Sequence, residues 1–392
     1  MSLKAAIYDP YLDTLGGGER YCLTVAEILA KNGYQVDIFW SGSQDILSKA
    51  EIRFNLDFSK ISCLPDIFGL ASQKIELIDE DNLNLIHSQN LPHQNTLQKI
   101  NKFIQKYQTL SKYDLVFYLS DGSLPFLFAK KNFLHVQVPF INRENIKEKI
   151  VDTFKNIFIH QVICNSHFTA KFLTKFPENK IKVLYPPVDV EKFSISEKKE
   201  NIILSVGRFD NILNAKRQDI LIEAFQKIVE QQPTLNWKLV LMGGSREEPK
   251  DNHYLIHLQH LAQNLPIEFI VNPNFDKLKD IYSKAKIYWH AAGYGVDEYL
   301  HPEETEHFGM SVVEAMASGV VPMVVTKGGL TEIVTDNQNG YTWQTLDELV
   351  AKTQLLLITP EDLQKLSLEA KNSSQSFSKE KFASQLLDLI KK

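Results

Sequence analysis

The chain has 392 residues, of which 44% are hydrophobic and 23% are charged, and its formal net charge is -5. These values are typical of a globular protein of two or three domains, and the negative charge argues against nucleic acid as a partner. Three scattered cysteines, with no metal-binding spacing and no apolar run of transmembrane length, predict a cytoplasmic protein, at most peripheral to a membrane.

Residues 1–40 predict a βαβ unit. Leu3 to Tyr8 is an apolar run typical of a buried strand, residues 19–30 show an amphipathic helical pattern, and residues 34–40 predict a second strand. The loop before the helix ends in Gly16-Gly17-Gly18, which lets the backbone approach a ligand closely at a helix start. The loop lacks a GxGxxG dinucleotide fingerprint, and a flexible turn is the alternative interpretation.

Residues 41–112 are difficult to assign to helices or strands from the sequence. Within them, Asp79-Glu80-Asp81 matches a DxD pattern of metal-dependent sugar binding. Acidic triplets on solvated turns are far commoner, so a solvated turn is the preferred explanation.

The region from Lys99 to Lys182 is basic, with about fourteen Lys or Arg against six Asp or Glu. A solvated surface is the simplest explanation of this excess. The alternative is attraction to an anionic membrane surface or to a phosphate-bearing acceptor.

Residues 113–119 and 133–138 predict two further strands. In the second of them, His135 and Gln137 share one face of the strand. A strand buried in a parallel sheet should be apolar on both faces, so these polar residues indicate a crevice near its carboxyl end. The alternative for His135 is a core imidazole with satisfied hydrogen bonds.

The first half closes with strands predicted at residues 161–164 and 181–185, and Ser166 is a plausible N-cap of a helix through Lys175. Tyr-Pro-Pro-Val-Asp at 185–189 then predicts a stiff, extended linker.

After the linker the alternation of strands and helices restarts. Strands are predicted at 201–206, 237–242, 267–271, 287–290 and 320–325. One helical face collects Ile220, Ala224, Phe225, Ile228 and Val229. The second half is therefore predicted to be another βαβ domain of similar size.

The stretch 306–319, EHFGMSVVEAMASG, predicts a polar loop and a short helix that ends at Gly319. A free helix N-terminus suits a phosphate, and Glu306 and Glu314 bracket it. Carboxylates in such a place hold the hydroxyls of a ribose or a sugar, or stabilise positive charge. The alternative is a capping box from Ser311 to Glu314, in which Glu314 only accepts a backbone N–H.

One rule connects these candidates. In open α/β sheets, ligands bind beyond the carboxyl ends of the strands. The glycine loop at 16–18, His135, Arg208 and Glu306 all lie at or just after predicted strand ends. Two such domains facing each other would place these residues in one cleft.

Together these features resemble glycosyltransferase family 4, retaining enzymes of the GT-B fold. The resemblance rests on the E-x7-E pair, HFG before the helix, SVGR at 205–208, Lys216, the Gly-Gly near the N-terminus and the Pro-Pro-Val-Asp linker. It spans both halves and is densest in the second. HVQVPF and EHFG are similar to blocks of lipid-linked oligosaccharide mannosyltransferases.

The family implies an α/β architecture of two Rossmann-like, doubly wound domains that face a cleft. We therefore expect an acceptor-side domain at residues 1–185 and a nucleotide-sugar-binding domain at 186–375. A C-terminal helix at 376–392, whose apolar residues have helical spacing, is expected to pack back on the first domain.

In the second domain the resemblance implies a cradle for the donor diphosphate. Arg208 and Lys216 would hold the diphosphate, and N–H groups near Phe308, Gly309 and Met310 would complete the cradle. Surface ion pairs are the alternative for the two cations. No metal or other cofactor is expected, because fixed cations and a helix N-terminus can neutralise the leaving group.

Further roles follow from the same resemblance. Glu314 would bind the ribose hydroxyls, Glu306 would face the donor sugar, and His135 would contact the sugar hydroxyls. Gly17 and Gly18 would approach the phosphates. Glu306 is expected to act as electrostatic support rather than as nucleophile, with a diphosphate oxygen assisting deprotonation of the acceptor.

The predicted activity is transfer of a hexosyl group, with retention, from a nucleotide sugar to a glycan or lipid-linked acceptor, as in polysaccharide biosynthesis. GDP-mannose is the favoured donor, and UDP-glucose or another UDP-sugar is next. A sugar-nucleotide epimerase or phosphorylase of the same fold, and a non-catalytic nucleotide-sugar-binding protein, are the alternatives. The polar insertion at 293–304 departs from the family motif and could shift Glu306.

Overall fold

The computed structural model describes residues 2–69, 96–139, 146–211, 215–245 and 248–391. The chain divides into two compact units. The first comprises Met1–Gln137, Arg143–Ile163 and Lys175–Lys182, and the second comprises Val138–Asn142, Cys164–Thr174 and Val183–Lys392. The helix at the C-terminus belongs to the second unit, and its predicted packing on the first domain stays a prediction.

The first sheet has seven strands in the order β3-β2-β1-β4-β5-β6-β7. The strands are β1 Leu3–Tyr8, β2 Tyr34–Phe39, β3 Ile61–Leu64, β4 Leu115–Leu119, β5 Lys131–Val136, β6 Gln161–Cys164 and β7 Ile181–Val183. The helices of this part of the chain are α1 Gly17–Lys31, α2 Ile46–Phe54, α3 Thr96–Leu110, α4 Ile146–Asn156 and α5 His167–Lys171, of which α5 falls in the second unit. Strand β1 pairs in parallel with β2 on one side and β4 on the other. The strand order therefore reverses there, which is where doubly wound sheets bind ligands.

The second sheet has six parallel strands in the order β10-β9-β8-β11-β12-β13. The strands are β8 Ile202–Val206, β9 Lys238–Gly243, β10 Ile267–Val271, β11 Ile287–His290, β12 Val321–Val325 and β13 Tyr341–Trp343. The helices are α6 Gln218–Gln231, α7 His253–Leu261, α8 Phe275–Lys284, α9 Met310–Ala317, α10 Leu346–Ile358, α11 Pro360–Ser374 and α12 Lys379–Lys391. Strands β8 and β11 are neighbours, so their carboxyl ends meet at one edge of the sheet.

The cores of both sheets explain why these segments are strands. All five residues of β4 and all five of β12 are buried, as expected for parallel strands that are covered on both faces. Helix α6 buries Ala224, Phe225 and Ile228 on the predicted face. The α/β class with two Rossmann-like domains is therefore confirmed.

The predicted helix after Ser166 is shorter than expected. The Ser166 hydroxyl accepts the Thr169 N–H at 3.0 Å and so caps α5 as predicted. The helix ends at Lys171 rather than Lys175. The N–H groups of Phe172 and Leu173 donate to carbonyl oxygens three residues earlier, as in a 3₁₀ turn, instead of continuing the α-helix. Among the described residues, none of the helices is both long and apolar enough to cross a bilayer.

Candidate active site

The centre of the candidate site is an ion pair between Lys216 and Glu306. Lys216 Nζ lies 2.6 Å from Glu306 Oε2, and both side chains are largely buried. The stem of Lys216 crosses over Gly207, where an added Cβ would lie 2.5 Å from the Lys216 Cγ. Glycine at 207 therefore lets the lysine reach the carboxylate from the loop that follows β8.

His290, the last residue of β11, lies on the other side of the same carboxylate. Its Nε2 is 3.0 Å from Glu306 Oε2, although the two are not aligned as a regular hydrogen bond. The Ala292 N–H donates to His290 Nδ1 at 3.3 Å, which places the proton of the neutral ring on Nε2. Burial lowers the pKa of His290, so a neutral ring with its Nε2 proton towards Glu306 is expected.

Glu306 is held as a carboxylate. Burial by itself would raise its pKa, but the charge of Lys216 and the contact with His290 outweigh burial and hold the pKa of Glu306 well below its usual range. The site therefore contains an anion and a cation that neutralise each other. A ligand that supplies its own negative charge would compete with Glu306 for Lys216.

The backbone around Glu306 is fixed by two glycines. The Gly329 N–H donates to the Glu306 carbonyl at 2.8 Å, and the Gly328 N–H donates to Glu298 Oε2 at 2.8 Å. A Cβ at Gly328 would overlap the Glu306 carbonyl oxygen. Glu298 lies in the predicted insertion at 293–304, so in the structure that insertion is tied to the loop that supports Glu306.

Helix α9 begins directly after this loop. Its N-cap is Gly309 at φ 110°, and no side chain caps the helix. A side chain at 309 would be strained in this backbone conformation, and its Cβ would lie 2.9 Å from Leu330 Cδ2. The N-terminus thus keeps backbone N–H groups and a partial positive charge for an anion.

The capping-box interpretation of Ser311 and Glu314 is wrong. Ser311 is inside the helix, and its hydroxyl accepts the Tyr288 O–H at 2.8 Å. The Tyr282 hydroxyl lies 3.3 Å from Glu314 Oε2, to which it donates. Glu314 is therefore held near the first turns of α9 by side-chain contact, at a place where it does not satisfy the N-cap.

Phe308 anchors this loop through its ring. Its ring is buried in the second unit, 5.6 Å from the Tyr185 ring and 5.4 Å from the Phe377 ring. Packing of this ring anchors the chain just before Gly309 and Met310. The predicted role of the N–H groups near these three residues is compatible with this arrangement and stays a prediction.

Arg208 follows the carboxyl end of β8, at the edge where β11 ends with His290. Its Nε lies 3.4 Å from Asp210 Oδ2, and the side chain is about half exposed, at 47%. Gln218 Nε2 donates to the Arg208 carbonyl at 2.9 Å and fixes the backbone. The structure thus gives Arg208 a weak surface ion pair, which leaves the guanidinium accessible.

In the first unit, the predicted residues Gly18 and His135 are joined by Gln137. Gln137 Nε2 lies 3.0 Å from His135 Nε2 and 3.4 Å from the Gly18 carbonyl oxygen. A Cβ at Gly18, the second residue of α1, would overlap Gln137 Oε1. Glycine at 18 therefore makes room for the amide that bonds to the histidine. Gly17 starts α1 beside it.

His135 is fully buried. Its Nδ1 lies 3.1 Å from the Ile163 carbonyl oxygen, to which it donates, so its Nε2 accepts from Gln137. The ring stacks on Tyr21 at 4.0 Å, and burial lowers the pKa of His135 to about 3. Both ring nitrogens are thus engaged within the protein, and a contact with a sugar would need Gln137 to move. The predicted catalytic role stays a prediction.

Two histidines of the candidate site were not predicted. His290 could have been found as a polar residue that ends an apolar strand. His307, next to Glu306, is buried, and burial lowers its pKa to about 4. The sequence signal that could have identified His307 was its position in the HFG block before α9.

The structure does not test the hypothesis that the acidic triplet of the DxD pattern binds a metal. Asp79-Glu80-Asp81 lies outside the described residues. Within the described ranges, the one group with metal-ligand spacing is His301, Glu303 and Glu304, which is largely exposed. Exposed acidic groups of this kind are common without a metal.

The chain is similar to named mannosyltransferases. It is 29% identical over 225 residues to GDP-Man:Man(3)GlcNAc(2)-PP-Dol alpha-1,2-mannosyltransferase of Dictyostelium discoideum, covering 53% of this chain and 42% of that protein. It is 24% identical to the Xenopus laevis protein of that name, covering 97% of this chain and 86% of that one. The chain thus spans less than half of the first relative and most of the second.

A solved structure shares the fold. Anabaena HepE in complex with UDP and glucose superimposes with a TM-score of 0.67 at 17% identity, covering 99% of both chains. Two family models match in succession: Glycosyltransferase Family 4 over residues 15–192 and Glycosyl transferases group 1 over residues 189–373. Since these models together span the chain from residue 15 to residue 373, the protein belongs to the group 1 glycosyltransferases, enzymes of the GT-B fold.

Proposed function

We propose that this protein transfers a hexosyl group from a nucleotide-diphosphate sugar to a glycan or lipid-linked acceptor, with retention of configuration and without a metal ion. The observation that carries the proposal is the Lys216–Glu306 pair beside the uncapped N-terminus of α9. A cation and a helix N-terminus at one place provide what a departing diphosphate requires.

In this proposal Lys216 and Arg208 bind the diphosphate, together with N–H groups near Phe308, Gly309 and Met310. The diphosphate draws Lys216 away from Glu306. Glu306 is then free to face the donor sugar, where it supports developing positive charge on the ring.

Glu314 binds the ribose hydroxyls, since a carboxylate accepts two such bonds. His135 contacts the sugar hydroxyls once Gln137 moves away from its Nε2, and Gly17 and Gly18 let the backbone come close to phosphate.

Retention requires that the acceptor attack the face from which the diphosphate leaves. The bond between the anomeric carbon and the diphosphate oxygen breaks, and the acceptor oxygen forms the new bond to that carbon. The acceptor proton passes to the leaving diphosphate oxygen. Glu306 makes no covalent bond in this scheme and acts electrostatically.

GDP-mannose is the first donor to test, since the named relatives are GDP-Man-dependent mannosyltransferases. UDP-glucose follows, since HepE was solved with UDP and glucose. A thermal-shift screen of GDP and UDP ranks the bases, because a ligand that binds the folded state raises the unfolding temperature.

Transfer is tested with radiolabelled donor and a lipid-linked or oligosaccharide acceptor, with and without EDTA, followed by determination of the anomeric configuration of the product. Retained configuration and unchanged rates in EDTA are expected. Loss of activity with chelator, or an inverted product, would contradict the mechanism. Isomerisation or phosphorolysis of the donor, without transfer, would favour the epimerase or phosphorylase alternative. Binding without turnover in the wild type and in Glu306→Ala would favour a non-catalytic protein.

A further inference from the structure

Two helices of the first unit expose apolar faces. On α3, Leu97, Ile100, Ile104 and Tyr107 recur at helical spacing, and all are exposed. A helix of a globular protein normally turns such a stripe towards the core. Leu97 is 70% exposed, so this stripe of α3 is directed at solvent among the described residues.

Helix α4 repeats this arrangement in its described part. Ile150, Val151 and Phe154 are exposed on it, and Ile157 follows directly after its end. Ile150 and Ile157 are 66% and 69% exposed.

Phenylalanine rings connect the two helices into one surface. Phe103 of α3 packs edge-on against Phe126 and Phe128, with ring centroids 5.5 and 5.3 Å apart. Phe126 in turn lies 6.5 Å from Phe154 of α4, and Phe158 lies 5.9 Å from Phe154. We call this continuous surface, formed by the exposed residues of α3 and α4 and the rings between them, the aromatic face.

The sequences of the two helices that form the aromatic face contain more basic than acidic residues. The sequence of α3 contains three lysines and no acidic residue. On α4, Asp152 is paired with Lys155 at 3.4 Å and with Lys175 at 3.5 Å, so its charge is compensated. Lys155 Nζ lies 5.7 Å from the ring centroid of Phe126 in this face, whereas Lys106 Nζ lies 4.8 Å from the ring centroid of Phe68, which is not part of the face. This excess of basic residues occurs in a chain of net charge -5.

We propose that the aromatic face is a docking surface for an anionic lipid bilayer. Amphipathic helices with Phe, Leu and Ile on one side and lysines beside them lie in the interface between headgroups and acyl chains. Anionic headgroups attract the lysines. A symmetric contact with a second copy would bring two positive surfaces together, which like-charge repulsion disfavours.

This inference deepens the proposed function, since a lipid-linked acceptor is presented at such a surface. It is tested separately from catalysis. The full chain is mixed, without donor, with vesicles of phosphatidylcholine and phosphatidylglycerol in equal parts, or of phosphatidylcholine alone, and binding is measured by flotation. We expect binding to the anionic vesicles, weakened as salt is raised from about 0.05 M to about 0.5 M.

The variant Phe103→Ser/Tyr107→Ser/Phe154→Ser removes the exposed rings. We expect it to bind anionic vesicles about tenfold or more weakly, because each lost ring removes apolar area from the lipid interface. The matched control is Leu355→Ser/Ile358→Ser/Leu368→Ser, which changes three similarly exposed side chains of the second unit. The control should bind like the wild type, and the nucleotide-induced thermal shift should be unchanged in both.

A second measurement does not depend on the folding of the triple variant. Ile157→Cys in a Cys63→Ser background is labelled with an environment-sensitive dye, since Cys22 and Cys164 are buried. A blue shift on addition of anionic vesicles is expected.

The proposal is overturned if the wild type fails to float with anionic vesicles, or if the control triple variant weakens binding as much as the ring variant. A dimer that the ring variant converts to monomer would identify a second copy as the occupant. A dye already blue-shifted without vesicles would show that the protein itself covers the face. If vesicle binding fails while transfer to a soluble acceptor proceeds, the docking surface is wrong and the proposed activity is kept.

Discussion

Lys216 and Glu306 are 90 positions apart in the sequence, and their charged atoms lie 2.6 Å apart. In this ion pair the two opposite charges largely neutralise each other, so each of them attracts a charged ligand less strongly. Binding of a nucleoside diphosphate therefore exchanges a carboxylate for phosphate as the partner of Lys216, and this exchange frees Glu306.

Lys216→Ala should weaken the binding of GDP or UDP by about tenfold to a hundredfold, the usual effect of removing a hydrogen bond to a charged group. Isothermal titration measures the change. Lys227→Ala is the control, because Lys227 pairs on the surface with Asp347 at 3.0 Å. Equal affinities of Lys216→Ala and wild type would remove Lys216 from the donor site.

Glu306→Gln should lower the rate of transfer by about a hundredfold or more, because the electrostatic support of the sugar is lost. It should also lower the free energy of unfolding at pH 7 by about 1–3 kcal/mol, since Lys216 loses its charged partner. Steady-state kinetics and urea unfolding measure these effects. Glu304→Gln, on the exposed side of the same loop, should change neither.

The stability difference between wild type and Glu306→Gln should depend on pH. The pKa of Glu306 is depressed in the folded state, so its contribution is complete above its ordinary value of 4.5. The contribution is lost as the pH falls through the folded-state pKa. Urea unfolding should therefore give a constant difference above about pH 5 and a shrinking one below about pH 4.5. A difference that grows on acidification would contradict the ion pair.

His135 should make stability fall on mild acidification. Burial depresses its pKa to about 3 from the ordinary 6.5, so below about pH 6.5 the unfolded chain takes up a proton that the folded chain does not. His135→Gln should reduce the slope of unfolding free energy against pH by up to about 1.4 kcal/mol per pH unit between about pH 6 and pH 5. The comparison uses urea unfolding, with His253→Gln, an exposed histidine, as control. Identical slopes in wild type and His135→Gln would contradict this account.

Gly18 and Gln137 should behave as a coupled pair. Gly18→Ala places a methyl group on Gln137 Oε1 and displaces the amide from His135. We expect Gly18→Ala to lose stability and activity, and Gly18→Ala/Gln137→Ala to recover part of the stability, with a coupling of about 0.5–3 kcal/mol. A double-mutant cycle by urea unfolding measures it, and strict additivity would show that the contact carries no energy.

The sequence predicted strands well where an apolar run is long and is bounded by polar or turn-forming residues. Leu3–Tyr8, Ile267–Val271 and Ile287–His290 are strands with the predicted limits. The strands Ile61–Leu64 and Tyr341–Trp343 were missed, since three or four residues with a polar one among them carry too little period-two signal.

The proximity of the candidate residues was predicted in part, whereas their roles stay predictions. Lys216, Glu306 and the helix after Gly309 were found from motif order, and the structure brings them together. The direct pairing of Lys216 with Glu306, and the approach of His290 to the same carboxylate, were not predicted, because both depend on which strands are neighbours in the sheet. The alternative of a core imidazole for His135 describes its surroundings well, since its nitrogens bond to Ile163 and Gln137.

The contact between Gly207 and Gly243 bears on protein engineering. A Cβ at Gly243 would overlap the Gly207 carbonyl oxygen, so the ends of two adjacent strands touch backbone to backbone. Neither position bears a functional group, yet both set where the lysine-bearing loop begins. A saturation library aimed at changing sugar preference should therefore recover only glycine at these two sites. The positions to randomise are better chosen among the residues around them.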